Sequence, residues 1–561
     1  MQILTKSNSE LPWWKRTVVY QIYPRSFFDL NGDGIGDLEG IISKLDYLND
    51  LGIETIWLSP FFKSPQMDFG YDISDFKDID NDYGDMKLCE KLIDEIHNRD
   101  MKIVLDLVLN HTSDQHPWFI ESRCSLDNPK RDWYIWKDGK GKKPPNNWQS
   151  LIGGSGWHYD KLTGQWYWAQ FLPFQPDLNY RNSEVKETML DIVRFWLRKK
   201  VDGFRLDIID TIYEDSEFRN NPISYKFIPS DTSIKRFFQN SIYTLDHPET
   251  LEFVKELRKV LDEFNNPQRF LVGEIITDYT TAKRYCGNNA DGLHSVFLFK
   301  ALRTPHNANK FRNLIEEFET HFSEPYIPTW VFTNHDRMRR ITRLGNNIKK
   351  AKLHAALQLT VRGVPYIYYG EEIGMESPRI LLKNSIDKMA LKYKWIPQFA
   401  FDFIRYVGLE SFNRDEQRTP MQWTNSYNAG FCPNYAKPWL SIPSSYLERN
   451  VETQKKNPNS LFNCYKRFLK ARNETPALNS GSTESLRLSK IPKDVLSYVR
   501  TIDNDGFKQK AFVFLNFSNK LRRFSNPTKK AKLLVSTDVE GNPINGNKIN
   551  LKAQEGIVLL N

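Results

Sequence analysis

Cysteine is scarce in this chain: five residues in 561, none of them in a CxxC pair. Cys89, Cys124, Cys286, Cys432 and Cys464 are odd in number and far apart, which excludes a disulfide framework and a cysteine zinc site and fits a reducing compartment. No run approaches the ~18 apolar residues of a membrane span, and the opening "MQILTKSNSELPWWKR" has no apolar signal core. A soluble, cytoplasmic protein with no membrane partner is therefore expected. No GxGxxG follows the first β-like run, which argues against a doubly wound dinucleotide-binding sheet. No histidine pair has i, i+4 spacing with a third ligand nearby, as a catalytic metal site would need. The formal charge is +9, yet the basic residues are scattered and the densest runs, "KDGKGKKPP" and "NKLRRFSNPTKKAK", read as loops. Nucleic acid is not an expected partner.

Aromatic residues, at 14%, are abundant, with 15 Trp and 25 Tyr. A large core would use them, and so would a surface on which a sugar ring stacks, as in the loop "QWYWAQF". The length exceeds one hydrophobic core, although a barrel with insertions could take up most of it. Short β-branched or apolar runs, each followed by a polar loop and a helical pattern, recur along the chain: "VVYQIY", "ETIWLS", "KIVLDLV", "DGFRLDI", "RFLVGE", "GLHSVF", "TWVFTN" and "VPYIYYG". These units match an α/β fold of the (β/α)8 TIM barrel type, whose strands are buried on both faces. A long aromatic insertion follows the third run, and a second, about 375–459, follows the eighth. Runs such as "VLSYVRTI" and "KAFVFLNF" predict a C-terminal antiparallel β domain. The expected division is a barrel over 1–111 and 181–475, a loop-rich inserted domain over 112–180, and a β domain over 476–561.

The loop "FFDLNGDGIGDLEG" has a calcium-loop look, with Asp29, Asn31, Asp33 and Asp37 on odd positions and Gly34 at a sharp turn. An EF-hand would close with Glu at position 12 and lie between two helices. Here that position is Gly40, a strand precedes the loop and a helix follows it. A fixed structural divalent ion, calcium, is the expectation rather than a calcium switch; the alternative is a Gly/Asp-rich turn without an ion.

Barrel active sites form at the C-terminal ends of strands. There the chain carries Asp106, Asn110 and His111 ("DLVLNH"), Arg205 and Asp207 ("GFRLD"), Glu274 ("VGE"), and His335 and Asp336 ("TNHD"). A single carboxylate at a strand end is often a helix cap, but carboxylates on three strands sharing one mouth point to chemistry. Cleaving a glycosidic bond needs two: one attacks or activates water, the other protonates the leaving oxygen. Arg205 lies two residues before Asp207, so both face the same side of a strand and the cation would hold the aspartate ionised. Glu274 sits in the apolar run "FLVGEII", which would raise its pKa toward that of an acid. His111 and His335 could donate to sugar hydroxyls or be satisfied structural histidines.

These motifs, with "QPDLN", "GVPYIYYGEEIG", "QIYPRSFFDLNGDGIGDLEG" and "RDEQRTPMQW" in the same order, resemble the α-amylase family of glycoside hydrolases. Within it they are most similar to the group of oligo-1,6-glucosidases, α-glucosidases and dextran glucosidases. The resemblance implies a retaining mechanism with Asp207 as nucleophile, Glu274 as acid/base and Asp336 as a transition-state stabiliser. It implies a subsite for the non-reducing glucose built from Asp68, Tyr71, His111, Arg205 and His335. An arginine of "NRDEQRTPMQW" would pair with Asp68, Arg414 being chosen over Arg418. The calcium ligands it implies are Asp29, Asn31, Asp33, the Ile35 carbonyl and Asp37; Asn110, which serves a different calcium in the wider family, would be structural. The "DFGYD" loop implies exo-action on small α-glucoside oligosaccharides. Ile208, after the nucleophile, favours α-1,6 over α-1,4 linkages by its bulk. "YWAQFLPFQPDLNY" departs from the group's usual wording, which leaves the leaving-group subsites open. A sucrose or trehalose isomerase or glucosyltransferase of the same family is the alternative, since access of water decides the outcome. A non-catalytic binding or transporter subunit is a third reading, disfavoured because all three carboxylates are present and no anchor is seen. No organic cofactor is expected, and the chain should be a monomer or weak homo-oligomer.

Overall fold

The computed structural model describes residues 11–561 apart from 409–410, 486–490, 505 and 529, so the start of the N-terminal segment read above lies outside the described residues. All eight apolar runs are strands: β1 (Val19–Ile22), β2 (Thr55–Leu58), β3 (Lys102–Leu107), β4 (Gly203–Leu206), β5 (Phe270–Gly273), β6 (Ser295–Val296), β7 (Thr329–Val331) and β8 (Val364–Tyr368). They form one parallel sheet in the order β6-β5-β4-β3-β2-β1-β8-β7, the nearly closed barrel of a (β/α)8 fold. Near-continuous burial of the strands explains why they read as apolar runs instead of alternating patterns. Helices follow, among them α1 (Met86–His97), α2 (Ser183–Arg198), α3 (Pro248–Asp262) and α4 (Ala308–His321), each with one buried stripe, and α5 (Ile348–Thr360), buried all round from Ala351 onward.

The chain divides into two compact units. One comprises Trp57–His97 and Lys102–Phe297; the other comprises Met1–Ile56, Asn98–Met101 and Leu298–Asn561. The first contains β3 to β6 and the insertion after β3. That insertion has a three-stranded antiparallel sheet of Trp136–Lys137, Trp166–Trp168 and Trp157–Tyr159. Trp148, Trp157 and Trp168 pack into one buried cluster with Ile135. The aromatic wealth of "QWYWAQF" thus serves in part the insertion's own core: Trp168 is fully buried, and Tyr167 packs on Phe119 and Trp136. A segment with so little regular structure needs large side chains to bury enough area.

The second unit holds β1, β7, β8, the insertion after β8 and the C-terminal strands. Among the helices of that insertion are α6 (Lys388–Lys392) and α7 (Gln398–Gly408). After α8 (Leu461–Glu474) the chain forms a five-stranded sheet and a separate three-stranded sheet. The runs "VLSYVRTI" and "KAFVFLNF" are its central strands, Val495–Asn504 and Phe507–Asn516, paired antiparallel. Val495, Phe514, Phe524, Ile549, Ile557 and Leu559 form the core beneath them.

Candidate active site

The register of β3, β4 and β5 sets Asp106 beside Arg205, and Arg205 beside Val272. Asp207 follows on the same face as Arg205, and Glu274 stands just beyond the end of β5. The Arg205 guanidinium ties these residues together. Its Nη1 donates to Asp106 Oδ1 and to Asp207 Oδ1, both at 2.7 Å, and its Nη2 contacts the Glu274 carboxylate. The Arg205 side chain is 1% exposed, whereas those of Asp207 and Glu274 are 11% and 12% exposed. Both carboxylates therefore reach the solvent side of a buried cation.

Burial disfavours charge on Arg205, but the carboxylate of Asp106, the Tyr71 phenol and the carboxylate of Asp207 outweigh it and hold the proton on the guanidinium more firmly than water would. Burial pushes Asp106 up to about 7 against the pull of Arg205. The setting of Glu274 is not apolar. Its neighbours in "FLVGEII" are apolar in sequence, yet its carboxyl group touches a guanidinium, because side chains along a strand point alternately to opposite faces.

In the sequence Asp106 is marked only by its place at a strand end. It anchors the cluster: Tyr71 Oη and Trp57 Nε1 each donate to its Oδ2 at 3.2 Å. His111 lies behind Tyr71. Its Nε2 is 3.1 Å from the Tyr71 carbonyl and its Nδ1 is 3.3 Å from the Asn110 amide, so both ring nitrogens have protein partners. Burial lowers its pKa to about 4, which leaves the ring neutral. This geometry makes His111 a prop for Tyr71. Asp68 accepts from Gln175 Nε2 at 3.2 Å, and its own N–H donates to Asp72 Oδ1 at 2.9 Å. Asp72 also binds Met67 N–H and Ser64 Oγ, fixing the "MDFGYD" loop from within. Gln175 and Asp72 had no assigned role, although "QPDLN" and "MDFGYD" contain them.

Ile208, directly after Asp207, has φ of +28°. A β-branched side chain enters this region only at a cost of about 1–3 kcal/mol. Its carbonyl accepts from the Thr211 N–H and hydroxyl, and the next N–H, from Ile209, donates to the Glu274 carbonyl at 3.0 Å. The turn after Asp207 is thereby tied to the backbone of Glu274.

His335, Asp336 and Arg414 belong to the other unit. His335 stacks on Tyr23, with Nδ1 at 2.8 Å from Gln21 Nε2 and Nε2 at 3.2 Å from Asp336 Oδ2. Arg418, fully buried, donates from Nη2 to Asp336 Oδ1 at 2.8 Å and from Nε to the His335 carbonyl at 3.1 Å. Arg414 Nη1 stands 3.7 Å from Asp336 Oδ1, while its Nε and Nη2 clamp the buried Asp387. The two arginines of "NRDEQRTPMQW" thus both face Asp336, and Asp387, which nothing in the sequence had marked, orients the first of them.

The acidic loop after β1 lies in the same unit. Asp29 accepts from the N–H groups of Gly32 and Gly34 at 2.6 and 2.7 Å, and Asp37 caps the following helix through the Gly40 N–H at 2.6 Å. Burial raises the Asp29 pKa; the two glycine N–H groups lower it, and the nearby charges of Asp33 and Asp37 raise it further. A cation would relieve that crowding. Among the described residues no three acidic, histidine or cysteine side chains form a metal-holding group by themselves. A site here must therefore draw on the neutral oxygens of Asn31 and Ile35 as well, the oxygen-rich donor set that suits calcium.

The α-amylase catalytic-domain family matches residues 21–481. The chain belongs to the α-amylase family. It is a glycoside hydrolase of that family, and relatives align over nearly its whole length. An oligo-1,6-glucosidase of Parageobacillus thermoglucosidasius is 38% identical, covering 94% of this chain and 95% of the relative. Among solved structures, the α-glucosyl transfer enzyme XgtA is similar with a TM-score of 0.87 at 35% identity, covering 98% of this chain and 100% of that one. Trehalulose synthase MutB from Pseudomonas mesoacidophila MX-45 is similar with a TM-score of 0.87 at 33% identity, covering 98% and 99%. Within the α-amylase family, then, both hydrolases and enzymes of other outcomes share this architecture.

Proposed function

We propose that this glycoside hydrolase is an exo-acting, retaining α-glucosidase that releases glucose from the non-reducing ends of short α-glucosides, with α-1,6 linkages favoured over α-1,4. In this reading Asp207 attacks the anomeric carbon, Glu274 protonates the departing oxygen and then deprotonates water, and Asp336 binds sugar hydroxyls as charge builds on the ring. Arg205 carries the proposal. One guanidinium contacts both Asp207 and Glu274, an arrangement suited to the short carboxylate separation of about 5–5.5 Å that retention requires. It also favours the ionised form of Asp207 that a nucleophile needs. Asp68, Tyr71, His111, Arg205, His335 and Arg414 are assigned to the glucose subsite, with His111 acting through Tyr71.

Ile208 supports the linkage assignment by its bulk and its fixed, strained turn. A calcium ion held by Asp29, Asn31, Asp33, the Ile35 carbonyl and Asp37 would neutralise the acidic loop and stiffen it, with no part in the chemistry. The five free cysteines support a reducing, cytoplasmic setting. No organic cofactor or nucleic acid enters the proposal, and the chain acts as a monomer or weak homo-oligomer. Among the described residues no helix is long and apolar enough to cross a membrane. The likeness to a trehalulose synthase supports a second reading, isomerisation or glucosyl transfer on sucrose or trehalose, because the same glucosyl intermediate partitions according to how water is excluded.

Purified protein given isomaltose, maltose, sucrose and trehalose in parallel, with product anomers followed by NMR, tests both readings. Glucose appearing first as the α-anomer, fastest from isomaltose, is expected. A rearranged disaccharide from sucrose would transfer the assignment to the isomerase. Glu274→Gln should abolish cleavage with the fold intact, and retained activity would remove Glu274 from the acid/base role.

A further inference from the structure

One helix of the insertion after β8 is turned inside out. α7 carries Gln398, Asp402 and Arg405 along one stripe, and each of the three is paired within the protein. Gln398 Oε1 accepts from Leu382 N–H at 3.0 Å, Asp402 accepts from Arg379 at 3.0 and 2.6 Å, and Arg405 donates to Glu416 at 2.9 Å and to the Ser377 carbonyl at 3.0 Å. Phe399, Phe403 and Tyr406 share the outward stripe and are 77%, 66% and 80% exposed; Trp395, one turn earlier, is 75% exposed. Among the described aromatics of α7 only Phe401 enters the local core, with Leu382 and Ala390. A globular helix ordinarily buries its apolar face and leaves its polar face to water. Here Gln398 and Arg405 are fixed inward and Asp402 is held by Arg379 at the surface, and four large aromatics in a row are left outside, beyond what scattered surface apolar residues would explain.

Charge indicates what covers them. In the segment 379–408 the acids Asp387 and Asp402 are committed to Arg414 and Arg379. Lys383 and Lys394 are exposed and Lys388 half-buried. A second copy docked on the same face about a two-fold axis would set two surfaces of the same charge against each other. An anionic surface matches them instead. Exposed Trp, Phe and Tyr with lysines in the same segment is the composition of an element that lies in a membrane interface. We propose that α6 and α7 form a docking surface for an anionic lipid membrane, the aromatic stripe entering the headgroup boundary and the lysines meeting the phosphates. The lack of a spanning apolar run does not bear on a surface-lying helix, which needs none. The docking is peripheral, salt-sensitive and reversible.

Co-sedimentation of the whole protein with vesicles tests this, using phosphatidylcholine alone and phosphatidylcholine mixed with phosphatidylglycerol. The protein should pellet with the mixed vesicles, not with the neutral ones, and should be released by high salt. The double substitutions Phe399→Ser with Phe403→Ser, and Lys383→Glu with Lys394→Glu, should each weaken pelleting by roughly tenfold or more and leave α-glucoside hydrolysis unchanged. Unchanged hydrolysis reports that each variant has folded. Failure of the unsubstituted protein to pellet with either vesicle, or pelleting unaffected by both pairs, would overturn the proposal. So would a dimer in solution that the phenylalanine substitutions dissolve, or capture by an insoluble glucan through the same residues.

Discussion

Removing a guanidinium buried among three carboxylates would leave acids buried without a counter-charge, so Arg205 has to be judged by its planar fork as well as its charge. Lysine keeps the charge but presents a single ammonium, which cannot span Asp106, Asp207 and Glu274 in the fixed geometry of two Nη atoms. Arg205→Lys should lower kcat by roughly a hundredfold or more, with a smaller effect on KM, because it misplaces reacting groups. Steady-state kinetics on isomaltose, with circular dichroism as the control for folding, checks this; an unchanged kcat would make charge alone sufficient. At this scale the sequence revealed the residues at strand ends and their chemical types. It could not reveal their partners: Gln175 reaches Asp68, and Asp387 clamps Arg414, through contacts closed by long loops.

The acidic loop after β1 acts as a clip. Gly34 has φ of +93°, and a Cβ there would run into the Lys437 carbonyl, while the Gly34 carbonyl accepts from Trp439 N–H at 3.0 Å. Gly34→Ala should destabilise the protein by about 2–3 kcal/mol through backbone strain and the lost close approach, read as a lower midpoint in urea. If the loop holds calcium, chelation should lower Tm and added calcium should restore it, since an ion that binds only the folded state stabilises it by mass action. A Tm indifferent to both would leave the loop to its own hydrogen bonds. Strand and loop types at this scale were legible because burial on both faces produces apolar runs, and turns demand Gly, Asp and Asn. The outward aromatic face of α7 was not legible: 375–459 reads only as an insertion, and tertiary contacts decide which side of a helix is occupied.

At the scale of the whole molecule, proton binding couples to stability through buried acids. Burial pushes Asp177 up to about 8, opposed chiefly by the Gln170 N–H; burial, then the charge of Asp246, pushes Asp210 up to about 8. Each folded value lies above the ordinary carboxyl value, so between about pH 4 and 8 the folded chain binds protons that the unfolded chain has released. Stability from these groups is present in full below about pH 4, falls as pH rises, and levels off above about 8. Asp177→Asn removes one such group. The unsubstituted protein should therefore lose stability relative to this variant between pH 5 and 8, by roughly 1 kcal/mol per unit, measurable by urea unfolding; parallel curves would exclude it. The sequence by itself determined the barrel, the order of its strands and the acids at their ends, because these rest on local pattern and on rules linking strand ends to active sites. Only the tertiary structure decided which groups share a counter-ion, that His111 supports Tyr71, and that an aromatic helix face turns outward. Those depend on distances between residues far apart in the chain, which no local pattern encodes.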